Sequence, residues 1–233
     1  MSSLLRNLKM HFRRLVNRET ITIDGVIVTT DPKVVNKAVR DGLFKEKYEE
    51  PERILVRDSL KNGDRVLEVG GGVGFVSLLC AKICGAENLL IYEANPAMAP
   101  LIEKNFGLNG LAPNLRSRAI TAKGDEVSFF MCDNIISSSL YEREGSIAQK
   151  IPADAFDTVI QEWKPTALVM DVEGAEVDIL TSSNLEGLTK LILESHPHIV
   201  GDEEIQRLKN HLARVGFREG IIIHNSSFFS RQC

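Results

Sequence analysis

Apolar positions near the start of the chain recur with a helical period. Leu4, Leu5, Leu8, Phe12, Leu15 and Val16 fall on one face, and Arg6, Lys9 and Arg13 on another, which predicts an amphipathic helix. The pattern changes to alternation in "ITIDGVIVTT", whose central Asp24-Gly25 marks a small hairpin. Helical spacing returns around residues 32–43 and 51–61, the second opening on Pro51, whose fixed φ suits a first helical turn. From Arg65 a rhythm of strand, turn and helix sets in. "RVLEV" reads as a strand, "VGFVSLLCAKIC" as a helix and "NLLIYEA" as the next strand. Asn95-Pro96 caps and opens a helix that ends near Asn109-Gly110. "LRSRAI" and "EVSFFM" are strands about a Lys-Gly-Asp turn, and "ALVMDV" and "KLILES" are strands each followed by a helix. "GIIIHN" and "SFFSR" close the chain as an antiparallel hairpin.

Strands that are apolar almost throughout, alternating with amphipathic helices, predict an α/β fold with a mostly parallel sheet covered on both faces. No linker or repeat interrupts the chain. Residues 1–60 read as a helical and hairpin extension packing on a core domain of residues 61–233. Ligands of such sheets sit beyond the carboxyl ends of the strands. There the chain places "VLEVGGGVGF", with glycines at 70, 72 and 74 and an acid, Glu68, at the end of the strand. A dinucleotide-binding turn has the spacing G-x-G-x-x-G/A; here Phe75 stands at the last position. A carboxylate beside the turn repels a pyrophosphate and attracts a cation such as the sulfonium and ammonium of S-adenosylmethionine. Glu93 ends the next strand, where a ribose diol is held, and Asp171 brings a third acid to the same edge. A nicotinamide-dependent (NAD(P)) reductase is the rival enzyme reading, opposed by Glu68 and the glycine spacing. A non-catalytic interaction module on a cofactor fold is the rival outside catalysis.

Composition changes this picture little. The 233 residues carry a net charge of -4 and 26% charged residues, which gives no basis for binding nucleic acid. Cys80, Cys84, Cys132 and Cys233 form no disulfide framework, and with no secretory signal the expected location is cytoplasmic. No apolar run is long enough to span a membrane. The N-terminal helix is expected to pack on the domain with its basic face in solvent, contact with a membrane surface being the alternative.

Residues 42 to 217 resemble the FkbM-type family of S-adenosylmethionine-dependent methyltransferases. The resemblance is carried by "GLFKEKYEEPERILVRDSLKNGDRVLEVGGGVGF", "IYEANP", "AFDTVIQEWKPTALVMDVEGAEVDIL" and "LTKLILESHPHI", with "DVEGAE" the most distinctive part. It implies a Rossmann-like class I fold of seven strands, one of them antiparallel, and O-methylation of a hydroxyl on a sugar or secondary metabolite. It also implies that Glu68, Gly70, Gly72 and Gly74 line the methionine moiety, that Glu93 and Ala94 meet ribose and adenine, and that Tyr48 and Glu49 close the pocket. The chain departs from the family pattern in having Glu68 for an aspartate, Gly71 and Val73 around the turn, and Met170 for a lysine.

A hydroxyl acceptor needs a general base. Asp171 and Glu173 share a strand end, with Glu194, His196 and His198 following the next strand; Asp171, Glu173 and His196 are the catalytic candidates, and Asp171 also belongs to the cofactor site. Glu173 has an alternative as a helix cap. Asp171, Glu173, His196 and His198 have a further alternative as metal ligands, but no compact ligand motif supports it, and the expected site holds no metal. The acceptor is expected to be a small molecule.

Overall fold

A computed structural model of the chain describes residues 3–131 and 147–231. Helix α1 (Ser3–Leu15) leads into a hairpin, β1 (Thr20–Ile23) and β2 (Val26–Thr29). Its turn residues Asp24 and Gly25 both have positive φ, 52° and 79°, as a type I′ turn requires. Helices α2 (Lys37–Phe44) and α3 (Glu50–Ser59) follow, then the core units β3 (Val66–Val69), α4 (Phe75–Cys84), β4 (Leu89–Tyr92), α5 (Ala99–Leu108) and β5 (Leu115–Arg116). Next come β6 (Ala119–Thr121), β7 (Asp125–Met131), β8 (Ile147–Ala155) and α6 (Phe156–Trp163). The chain ends with β9 (Ala167–Met170), α7 (Glu176–Ser182), β10 (Lys190–Glu194), α8 (Pro197–Val200), α9 (Asp202–Arg214), β11 (Arg218–Ile223) and β12 (Ser226–Ser230).

The main sheet has seven strands in the order β11-β12-β10-β9-β3-β4-β5. Strands β10, β9, β3, β4 and β5 pair in parallel, and β12 is antiparallel to both neighbours. This is the Rossmann-like sheet with a C-terminal antiparallel hairpin that the chain's pattern and resemblance imply. Successive crossovers leave β3 toward β4 on one side and β9 on the other, so the ends of β3 and β9 form the switch point where ligands bind. One apolar layer gathers α2 to α5 and the hairpin against Val66, Ile91 and Val169. The other packs α6, α7 and α9 against Leu67, Leu168 and Met170. Cys80 and Cys84 are buried free thiols in the first layer; Cys132 and Cys233 lie outside the described residues.

Several elements differ from the sequence reading. "LRSRAI" is two strands rather than one, because β5 joins the main sheet while β6 joins a separate sheet of order β6-β8-β7. Strand β8 and helix α6 are additions to the predicted elements. Helix α1 is turned the other way round from expectation. Arg6 binds Glu50 at 2.8 Å, Arg13 binds Glu46 at 2.7 Å and the Phe44 carbonyl at 2.6 Å, and Arg14 binds Asp41. Leu4, Leu8, Phe12 and Leu15 are exposed, leaving Met10 as the buried apolar anchor. Acids of α2, of the segment before α3 and of the first turn of α3 meet the helix there, and charge-assisted hydrogen bonds hold its basic face inward. Among the described residues no helix is long and apolar enough to cross a membrane.

Candidate functional site

The carboxyl edge of the sheet opens into a cavity of about 400 Å³, in the range of small-molecule sites. The glycine turn forms its floor. Gly70 has φ 95°, and a Cβ there would stand 1.8 Å from the Asp171 carbonyl oxygen, so the backbones after β3 and β9 abut at the switch point. Gly72, at φ 52°, faces open space: its Cβ would meet only Glu49 Oε1 at 3.4 Å and Tyr48 Oη at 3.9 Å. Gly74 has another task, since its Cβ would press on the Ile102 backbone of α5 at 3.3 Å. It allows α4 and α5 to pack, and it does not line the cavity.

At one end of the cavity stand Glu93, Ala94, Asn95, Met98, Arg118, Ala119 and Ile120. Glu93 Oε2 accepts from Gly72 N at 2.8 Å and Oε1 from Asn95 N at 2.7 Å. Burial raises this carboxyl to about 7 against the pull of those two bonds. Glu93 therefore straps the glycine turn to the end of β4 while facing the cavity. Tyr48 and Glu49 form the wall from the N-terminal side. Glu49 has φ 48°, a strained setting for a residue with a Cβ. Burial first, then Glu52, pushes its carboxyl to about 8, and its Oε2 has no hydrogen-bond partner among the described residues.

Asp171, Val172, Glu173, Glu194 and His196 line the other end with the hairpin tip His224, Asn225 and Ser226. His196 is buried, and its Nδ1 lies 3.1 Å from Glu176 Oε1, itself buried and bonded to Val172 N at 3.0 Å. The other ring nitrogen, Nε2, faces Asp171 Oδ1 at 3.5 Å and Glu173 Oε2 at 3.8 Å. Burial, then Glu194, holds the Asp171 carboxyl well above the usual range. Burial likewise raises Glu194 to about 8, with a hydrogen bond to Asp171 opposing. Asp171, Glu173 and His196 thus converge on one point. His198 does not join them: it is exposed, and its ring stands edge-on to that of His196 at 5.8 Å.

Glu68 is placed differently from the lining acids. The alternation of β3 turns it with Val66 toward α4, where it is buried beneath the glycine turn beside Ser77 and Cys80 and outside the cavity. No cationic side chain pairs with it among the described residues; burial drives its carboxyl to about 8. A carboxyl that holds its proton more tightly in the folded chain stabilises fully below its unfolded value. That contribution is lost as pH rises through the folded value. For Glu68 the window runs from about 4.5 to about 8, and Glu93 adds in the same direction up to about 7. The thermal midpoint of the cofactor-free protein is accordingly expected to fall between pH 5.5 and 8.5, and to fall less in Glu68→Gln. A midpoint that rises over this range would refute the assignment.

Sequence reasoning missed Glu52, Arg118 and the hairpin tip. Nothing in their spacing marks them, since the tertiary fold alone carries them to the cavity. Among the described residues the lining acids Glu49, Glu52, Glu93, Asp171, Glu173 and Glu194 face a single lysine or arginine, Arg118. Burial leaves the carboxyls of Glu49, Glu93, Asp171 and Glu194 reluctant to ionise. A cationic ligand beside them favours their charged form and is held by it, whereas a pyrophosphate would raise their proton affinity further, so the lining favours the cation. The open face of Gly72 and the unpartnered oxygens of Glu49 and Asp171 suit a ligand with ammonium and sulfonium groups, so the residues present fit S-adenosylmethionine.

The chain is similar to several known proteins in family and fold. The family described as "Methyltransferase FkbM domain" matches residues 68–219. Protein-lysine N-methyltransferase EFM3 of Chaetomium thermophilum is 28% identical over 103 residues, which cover 44% of this chain and 27% of that protein. The chain's match thus spans about a quarter of that relative's length. Among solved structures, a ribosomal protein L11 methylase from Lactobacillus delbrueckii subsp. bulgaricus superposes with a TM-score of 0.50 at 13% identity. The match covers 87% of this chain and 84% of that one, a likeness of fold. A SAM-dependent O-methyltransferase from Thermotoga maritima gives a TM-score of 0.49 at 15% identity, covering 92% and 78%.

Proposed function

The chain belongs to the FkbM-domain methyltransferase family, its cofactor is S-adenosylmethionine, and from this premise we propose that it methylates a hydroxyl of a small molecule such as a sugar or secondary metabolite. The observation that carries the reading is the convergence of Asp171, Glu173, Glu194 and His196 on the acceptor end of the cavity. When bound, the cofactor supplies an electrophilic methyl on a sulfonium leaving group. Transfer is an in-line displacement, so the chain's task is to align the acceptor oxygen and exclude water. The acceptor O–H must give up its proton as the O–C bond forms and the S–C bond breaks. The hydrogen-bonded carboxyl pair Asp171–Glu194 is placed to take it, while His196, fixed by Glu176, and Glu173 orient the acceptor. Gly70, Gly72, Tyr48 and Glu49 hold the methionine end, and Glu93 and Ala94 the ribose and adenine.

Transfer of a labelled methyl group from S-adenosylmethionine to a panel of glycosides and hydroxylated metabolites tests this reading, with amines and lysine peptides in parallel. Labelled ethers are the expected product; label appearing only on amines would overturn the hydroxyl assignment. Once an acceptor is known, Glu93→Ala should raise the KM for the cofactor and spare kcat. A ribose diol is held equally in ground and transition states, so losing that contact is a loss of uniform binding. A lowered kcat at saturating cofactor would show that the Glu93–Gly72 strap shapes the reacting geometry instead.

A further inference from the structure

We propose that helix α1 is a membrane-surface anchor, which lays the face of Leu4, Leu8, Phe12 and Leu15 onto a bilayer carrying anionic lipid. These four side chains share one side of the helix, at the i, i+4 and i+3 spacings of neighbours. All are exposed, Leu4 at 81% and Leu15 at 84%. Large apolar side chains gathered on one exposed face mark an interaction surface. The fold builds this exposure in. Arg6 binds Glu50, Arg13 binds Glu46 and the Phe44 carbonyl, Arg14 binds Asp41, and Met10 packs into the apolar layer. These contacts fix the roll of the helix, so the leucines cannot turn inward without breaking them.

Charge identifies the occupant. Residues 1–47 hold ten lysines and arginines against five acids, a net +5 in a chain whose total is -4, so residues 48–233 carry -9. At about 100° per residue, Lys9 and Arg14 fall on the two borders of the apolar face. Their side chains are 37% and 32% exposed. Beyond the end of the helix, Arg18 is exposed, and so is Lys37, one turn from the Arg40 that donates to Asn17 Oδ1 at 2.9 Å. An apolar face with a basic border is the pattern of a helix lying at the headgroup boundary, its long cationic side chains reaching toward phosphate.

Size narrows the choice further. The 13 residues of α1 make a helix about 20 Å long, too short for a hydrocarbon core of about 30 Å. It lies on the bilayer rather than crossing it. One face about 10 Å across covers on the order of 200 Å², whereas each partner of a stable protein complex buries about 800 Å². A second copy of the chain would have to recruit the surroundings, and in a twofold dimer the basic border would meet its own charge. Acyl chains conform to a narrow apolar face without needing a matching shape. Arg6 and Arg13 hold Glu50 and Glu46 on either side of Tyr48 and Glu49, so the wall of the cavity stands directly behind the anchoring helix.

The test is co-sedimentation of the full chain with vesicles of phosphatidylcholine alone and of equal parts phosphatidylcholine and phosphatidylserine, beside sedimentation velocity without lipid. Binding to the mixed vesicles is expected. It should weaken by about tenfold or more on phosphatidylcholine alone and in high salt, because each cation near an anionic surface adds attraction that salt screens. The double variant Leu8→Ser, Phe12→Ser should lower binding by about tenfold or more with little change in the melting curve, since both side chains are exposed. Ile221→Ser with Ile222→Ser, which removes exposed apolar groups of β11 instead, should bind as the parent chain does. Binding to neither vesicle, equal binding to both, or binding that persists in the Leu8→Ser, Phe12→Ser variant would overturn the proposal. So would a lipid-free dimer that the same variant splits, which would assign the face to a second copy of the chain.

Discussion

Gly72→Val is expected to leave the protein folded and to abolish measurable binding of S-adenosylmethionine. The position lies on the cavity floor with no backbone within 4 Å of a Cβ, so the new side chain meets no wall of the fold. It projects instead into the space between the turn, Tyr48 and Glu49 that the methionine end needs. A β-branched residue at φ 52° costs about 1–2 kcal/mol, which a domain of this size tolerates. Gly70→Ala provides the contrast. Its Cβ would lie 1.8 Å from the Asp171 carbonyl oxygen, and two backbones at the switch point would have to part. That variant should lose much more thermal stability than Gly72→Val, whose loss of binding should far exceed its modest loss of stability. Circular dichroism melting with calorimetric titration separates the two, and unchanged affinity in folded Gly72→Val would show that the glycine serves packing alone.

Asp171→Asn is expected to lower turnover by about a hundredfold or more, the usual contribution of a general acid or base, with a smaller effect on cofactor affinity. The amide keeps the shape beside Gly70 and Glu194 but cannot carry the charge or share the proton that the carboxyl pair holds. The comparison variants are Glu173→Gln and His196→Ala. Should Asp171→Asn turn over normally while either of these does not, proton transfer belongs further along the edge.

The sheet was legible because β3, β4, β9 and β10 are apolar on both faces and each is punctuated by glycine, proline or an acid. The cofactor edge was legible for the same reason: chemistry at strand ends follows from locating the strands. Strand β8 was hidden by Pro152 and by the polar residues of "IAQKIPADA". It accommodates the proline because β6 pairs only with Ala153 to Ala155, so at Pro152 the strand has a partner on one side, β7. Helix α6 carried a readable signal, Phe156, Val159, Ile160 and Trp163 at helical spacing. The orientation of α1 was not readable, because it depends on Asp41, Glu46 and Glu50 being gathered against it by the fold. Glu68 drew attention through its charge, yet the period of the strand turns it beneath the glycine turn rather than toward the ligand.

The central claim is that a carboxylate-rich cavity at the switch point selects a cationic sulfur cofactor over an anionic dinucleotide. Calorimetric titration of the full chain with S-adenosylmethionine, S-adenosylhomocysteine, NADH and NADPH under one buffer tests it most directly. Saturable binding of the two sulfur ligands at one site per chain, with no comparable heat from either dinucleotide, is the predicted result; a dinucleotide binding more tightly than both sulfur ligands would contradict it.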